Sequence, residues 1–155
     1  MYNNYNINEI QREKFYQVPK VFFTNPRYTS LSSEAKLAYA ILRDRLNLSI
    51  KNNWIDENGD VFFIYTNENL KNILNISSPN KLSKIKKELR SADLFNQIRR
   101  GVNKPNLLYL KKPILTKEDV YQINIEEDAS EDYDGADVSF EYNRTYHLNT
   151  VMILI

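Results

Sequence analysis

The chain has 155 residues, 42% of them hydrophobic and 26% charged, with a formal net charge of +1, which suffices for one packed domain with an appended segment. The absence of cysteine excludes a disulfide framework, a thiolate zinc site and a cysteine nucleophile, and the single histidine, His147, excludes a multi-histidine metal site and argues against a His-dependent triad. No apolar run approaches the roughly 18 residues of a membrane span, and Met1-Tyr2-Asn3-Asn4 lacks the basic-then-apolar layout of a secretory signal, so a soluble, cytoplasmic chain is expected.

Residues 1–25 read as an N-terminal extended arm. Met1 to Ile10 is polar and Asn-rich, and Phe15 to Phe23 is aromatic and β-branched around Pro19, a pattern that predicts an extended or edge-strand conformation rather than a helix. Ser32 or Ser33 caps a helix to about Leu46, with Leu31, Ala35, Ala38, Ile41, Leu42 and Leu46 at helical spacing. Trp54-Ile55 and Val61 to Tyr65, joined through Asn58-Gly59, predict a β-hairpin. Asp56, Glu57 and Asp60 in that turn lack the spacing and terminal Glu of a calcium loop, so a polar turn is the better reading.

Thr66 caps a short helix to about Leu74. Ser78-Pro79, a cap followed by proline at the first helical position, starts another that runs to about Ser91. Leu94 to Arg99 and Asn106 to Leu110 read as strands around a glycine-containing turn from Arg100 to Pro105. Thr116 caps a brief helix to about Ile123, within a short helical extension over 114–125, and residues 126–155 read as an acidic, disordered tail.

Two short helices joined by a tight turn and followed by a two-stranded unit with a basic tip make an α+β fold: a winged helix-turn-helix over 26–113, with the arm and the hairpin as additions. The charge distribution supports a nucleic-acid role. From Ser78 to Lys112 ten basic residues face two acidic ones, a local excess of +8, whereas the stretch from Glu126 to Ile155 has an excess of −7. On a helical wheel, Leu82, Ile85 and Leu89 cluster on one side of the helix after Pro79. Asn80, Ser83, Lys84 and Lys87 lie opposite, with Lys81 and Lys86 on the flanks. A helix of this diameter fits the major groove of a duplex. Asn80 suits a bidentate pair with adenine, Lys84 a bond to guanine and Ser83 either, while Lys81 and Lys87 suit phosphate. Arg99, Arg100, Asn103 and Lys104 at the hairpin tip can follow the backbone or enter a minor groove. The competing reading is a merely solvated helix, but ordinary surfaces intersperse both signs and this helix has only Glu88.

Lys14 to Pro113 resembles the N-terminal domain of the RepA_N-type replication initiators of low-GC Gram-positive plasmids. The resemblance is carried by Lys14-Phe15-Tyr16-Gln17-Val18-Pro19-Lys20-Val21-Phe22-Phe23, Leu31-Ser32-Ser33-Glu34-Ala35-Lys36-Leu37-Ala38-Tyr39, Ser49-Ile50-Lys51-Asn52-Asn53-Trp54-Ile55-Asp56-Glu57-Asn58-Gly59 and Arg100-Gly101-Val102-Asn103-Lys104-Pro105-Asn106. It implies binding to repeated double-stranded sites (iterons) at a plasmid origin and assembly as a homodimer or higher oligomer. It also implies recruitment of host replication proteins where a C-terminal domain is present. Asn80, Lys81, Lys84 and Lys87 fall at the family's recognition-helix positions, and Arg99, Arg100 and Lys104 in its wing. A winged-helix transcriptional repressor and a winged-helix protein-interaction module are the alternatives. A nicking enzyme is disfavoured: eleven tyrosines offer nucleophiles, but no histidine or carboxylate cluster supports them. No catalytic residue, metal ligand or cofactor is expected, and no membrane partner.

Overall fold

A computed structural model describes residues 4–6, 14–121 and 124–125. The elements follow in the order α1 (Val21–Thr24), α2 (Pro26–Thr29), α3 (Ser33–Asp44), α4 (Leu46–Lys51), α5 (Asn67–Leu74), α6 (Pro79–Ser91), β1 (Phe95–Ile98) and β2 (Leu107–Leu110), with a last helical stretch at 117–121. The expected disordered tail lies outside the described residues.

Local chemistry explains most boundaries. The Ser32 hydroxyl accepts the Ala35 N–H at 3.1 Å and starts α3. Thr66 and Asn69 cap α5 reciprocally, through Asn69 N–H to Thr66 Oγ1 at 3.1 Å and Thr66 N–H to Asn69 Oδ1 at 3.0 Å. Asn75 ends α5 in the left-handed region at φ 55°. Ser78 and Pro79 start α6, as the sequence predicts.

Three expectations need correction. Val21–Thr24 is a helical turn, not part of an extended arm, and Val21 and Phe22 have no solvent exposure. Pro19 precedes this turn instead of interrupting it, and its carbonyl accepts the Phe22 N–H at 3.1 Å. The first helix stops at Asp44, and a separate turn of helix, α4, follows after Arg45. The hairpin around Gly59 is shorter than expected: it has one bridge, between Ile55 and Val61, extended by the Phe62 N–H bond to the Trp54 carbonyl at 3.1 Å, while Phe63, next along the chain, turns its backbone to Leu108 on the other edge. The Phe63 N–H donates to the Leu108 carbonyl at 2.8 Å and the Leu108 N–H returns a bond at 3.0 Å, so residue 63 adds a third edge to the antiparallel β1–β2 pair.

The core lies where α3, α5 and α6 meet the sheet. Leu70, Leu82, Ile85, Leu89, Leu94, Phe95 and Leu108 close on Ala35, Ala38, Tyr39 and Leu42 of α3. Phe22 of α1 packs between Tyr28 and Tyr39, tilted against the first ring and edge-to-face with the second, with centroids 5.4 and 5.0 Å away. The segment leaving β2 is then tied back to this layer. The Tyr39 hydroxyl donates to the Lys111 carbonyl at 2.7 Å and the Ile114 N–H donates to the Tyr28 hydroxyl at 2.8 Å. Buried Asp119 accepts from Asn25 Nδ2 at 2.9 Å and from the N–H and hydroxyl of Thr116 at 2.7 and 2.8 Å. Burial pushes the Asp119 carboxyl up, and these donors more than offset it, leaving it below the usual carboxylate range. Burial likewise pushes the Tyr39 phenol well above its ordinary value.

The contact that orients α6 is made by its one acid. Glu88 accepts the Ser32 N–H at 2.9 Å and the Ser32 hydroxyl at 2.8 Å, so it caps α3 from another helix. Glu88→Ala is expected to lower the unfolding free energy by about 1–3 kcal/mol, the cost of leaving half-buried donors unpaired, measured by urea denaturation. A loss under about 0.5 kcal/mol, the level of an ordinary surface change, would show that this tie is dispensable.

Candidate nucleic-acid interface

The wheel drawn from the sequence is realised in α6. Leu82, Ile85 and Leu89 are buried, and Asn80, Lys81, Ser83, Lys84 and Lys87 are exposed. Because Glu88 is folded back onto Ser32, the outward face of the helix is left without an acidic side chain of its own. Among the described residues Asn80, Ser83, Lys84 and Lys87 make no side-chain hydrogen bond or ion pair. They present their donors and acceptors to solvent.

The other basic residues of α6 are committed to the protein. Lys81 Nζ lies 2.9 Å from Glu34 Oε1 at the start of α3, a half-exposed pair that is weak in water and open to exchange. Lys86 Nζ donates to Asn67 Oδ1 at 2.7 Å and to Gln97 Oε1 at 3.3 Å, joining α5, α6 and β1. Burial, reinforced by the neighbouring Arg90 charge, lowers its pKa. Lys86 is thus a strut between helix and wing.

The wing is a turn with its own internal ties. Gly101 and Asn103 take φ values of 102° and 68°, which glycine and asparagine accept most readily. Arg100 Nε donates to the Pro105 carbonyl at 2.9 Å and closes the loop. Val102 stands at the tip, 91% exposed. Arg99, Arg100, Asn103 and Lys104 are all exposed, and Arg99 and Lys104 have no hydrogen-bond or ion-pair partner among the described residues. Arg99 and Lys104 come together with Lys86, Gln97 and Asn67 around a depression of about 370 Å³ between the wing and the start of α5. The structure therefore joins the wing cations to one flank of α6. Arg100 and Asn103 shape the loop, and Lys81 stands on the α3 side.

Two further residues belong to this region and escape sequence reasoning. Asn67 sits at the first position of α5, facing the wing depression. Arg27 comes from α2 and approaches Lys84 and Lys87. The signal for α2 is Asn25-Pro26, a cap then a proline, the same signature that marks α6. Here Asn25 Oδ1 accepts the Arg27 N–H at 2.8 Å.

The acidic turn near Gly59 has a structural use. Asp56 Oδ1 accepts the Asn58 and Asp60 N–H groups at 2.9 Å each, and Oδ2 accepts the Tyr109 hydroxyl at 3.0 Å. The Asp60 N–H above all holds this carboxyl below its usual range. No group of three His, Cys, Asp or Glu among the described residues is placed to hold a metal ion, and no helix among them is long and apolar enough to cross a membrane.

Lys86→Ala is expected to lower stability by about 1 kcal/mol, whereas Lys84→Ala and Lys87→Ala should each stay within about 0.5 kcal/mol of the parent. Thermal melts of the three variants check this. Equal losses at all three positions would remove the distinction between strut and free cation.

The family model for the N-terminus of replication initiator protein A (RepA) matches residues 14–123. The chain is similar to a "41 kDa protein" of Lactobacillus helveticus, 31% identical over 115 residues that cover 70% of this chain and 32% of that one, so it spans about a third of that relative's length. Solved structures of similar fold include an "N-Terminal domain of DNA binding protein", at TM-score 0.74 and 53% identity over 83% of this chain and 98% of that one. A "Rep-DNA complex" follows at 0.73 and 55% over 81% and 96%, and an "MDR initiator" at 0.68 and 56% over 80% and 98%. With the winged-helix arrangement of α3, α5, α6 and the β1–β2 wing already in place, these matches put the chain in the RepA N-terminal family of replication initiators.

Proposed function

We propose that this chain is the DNA-binding domain of a plasmid replication initiator, and that it binds repeated double-stranded sites at the origin by placing α6 in a major groove with the wing on the adjacent backbone. The observation that carries this reading is the outward face of α6. Asn80, Ser83, Lys84 and Lys87 are exposed and have no side-chain partners among the described residues, and the one acid of the helix is turned inward to Ser32. A helix of about 10–12 Å diameter fits a groove of about 12 Å width, and a field without counter-charges attracts a polyanion. Kinship with a domain solved in a Rep–DNA complex supports the same reading.

On this reading Asn80, Ser83 and Lys84 meet base edges, Lys87 and the wing residues Arg99 and Lys104 meet phosphate, and Arg100 and Asn103 keep the wing in shape. The domain works by binding alone, with no catalytic group. A second copy of the chain is the proposed protein partner. Phe15, Tyr16 and Phe23 are 55%, 57% and 64% exposed, and Leu37 on α3 is 55% exposed, which leaves apolar surface for a homodimer suited to repeated sites. Recruitment of host replication proteins would belong to a C-terminal domain.

Selection of bound duplexes from a random pool is expected to return a defined sequence, and a footprint on the parent plasmid should place it in repeats at the origin. Protection confined to a promoter would favour a repressor instead. Lys84→Ala and Lys87→Ala should weaken binding to the selected duplex, while Lys14→Ala leaves it unchanged. The logarithm of affinity should fall linearly with that of salt, by about 0.9 per phosphate neutralised. Failure to bind any duplex at low salt would defeat the proposal in favour of a protein-interaction module. Sedimentation at tens of micromolar, the range in which weak complexes form (about −6 kcal/mol by affinity arithmetic), should detect a dimer; a strict monomer there removes the self-association.

A further inference from the structure

The flank of α6 away from the wing holds a second group of cations. Arg27 of α2 stands with Lys84 and Lys87 around a depression of about 410 Å³, whose lining also includes Ser30 and Leu31. Two acids are close, and both are occupied elsewhere. Glu88, which lines the same depression, accepts both Ser32 donors. Asp93 accepts from Lys111 Nζ at 2.7 Å, a bond that holds its carboxyl below the usual range, with Arg27 adding a smaller effect from farther off. Three positive side chains from two elements therefore surround one depression, and among the described residues none has an ion-pair partner. The Arg27 guanidinium fork suits two oxygens of a phosphate, and the Lys87 ammonium and the Ser30 hydroxyl supply further donors, while Lys84 borders the depression on the side turned to the base edges.

We propose that this depression seats a phosphate of the DNA backbone, so that α2 holds one strand beside the major groove while the wing holds the other. The proposal rests on the DNA-binding reading above and adds a contact from outside the helix-turn-helix and its wing. The helix geometry supplies the two sides. At about 100° per residue, Lys84 and Lys86 are about 160° apart around α6, so Lys84 stands on the side of the outward face away from Lys86. Lys84 lines the α2 depression and Lys86 the wing depression. A groove occupied by α6 is bordered by a phosphate strand on each side, and each border then meets a cationic depression.

The test uses the selected duplex, a shuffled duplex and inorganic phosphate as probes. Arg27→Ala should weaken both duplexes severalfold and by the same factor, because a backbone contact reads no sequence. The salt slope should become shallower by about 0.9, and Arg27→Lys should restore part of the affinity. Arg27 is an exposed residue with no side-chain bond among the described residues, so folding should persist; if Arg27→Ala melts early, Arg27→Gln replaces it with the same expectation. Wild-type affinity and slope in the Arg27 variants, with Lys87→Ala still weakened, overturns the α2 seat and leaves DNA binding by α6 and the wing intact. Loss of affinity at none of Arg27, Lys84 and Lys87 overturns both readings. Inorganic phosphate should displace the duplex no better than chloride at matched ionic strength. Tight phosphate binding that Arg27→Ala abolishes, without any change in duplex affinity, assigns the depression to a free anion and overturns its role on DNA.

Discussion

The carboxylate of Glu88 does two things at once, and the arrangement of the exposed face of α6 depends on both. It satisfies the N–H and hydroxyl of Ser32, so the start of α3 is capped from α6 and the two helices are set in a fixed relation. The same bond also turns the one negative charge of α6 away from the face that carries Asn80, Lys84 and Lys87. A helix N-terminus favours an anion, so the contact that orients the helix also clears its outer surface of acid. Burial of Leu82, Ile85 and Leu89 sets which face looks outward, and Glu88 sets what charge that face has.

A similar economy runs through the basic residues. Lysines of α6 that look alike in sequence hold different posts: Lys81 pairs with Glu34, Lys86 bridges α5 and β1, and Lys84 and Lys87 remain open to solvent. In the wing, Arg100 closes the loop on Pro105 while Arg99 and Lys104 stay unpaired among the described residues. The free cations thus sit on a frame held by committed ones. Lys86 connects that frame across the wing depression, and its half-buried ammonium is retained because two amide oxygens receive it.

The layer behind the helices is held mainly by aromatic packing and tyrosine hydroxyls. Phe22, Tyr28 and Tyr39 fill the space between α1, α2 and α3, and the two hydroxyls reach the segment that leaves β2. Asp119 adds a buried carboxylate that gathers donors from Thr116 and Asn25. The two tyrosine bonds connect positions 72 and 86 residues apart in the chain, and the one at Tyr28 ties α2 to the segment that leaves β2.

Helix starts and burial stripes were legible in the sequence because they are short-range. A capping oxygen reaches an N–H three residues on, and a stripe recurs every three or four residues, so Ser32, Thr66 and Ser78 and the Leu82, Ile85 and Leu89 face were all visible without coordinates. The wing turn was visible for the same reason, in Gly101 and Pro105. What depended on tertiary structure was pairing between distant segments. Phe63 pairs with Leu108 on the edge opposite the local hairpin, where it gains two backbone bonds and a buried place for the ring. Val21 and Phe22 became helical core beside Tyr39 instead of an arm. The division of the lysines into struts and free cations, and the approach of Arg27 to Lys84 and Lys87, also arose only on folding. A side chain's charge is written in the sequence, but its partner is whichever group the packed chain brings within bonding distance.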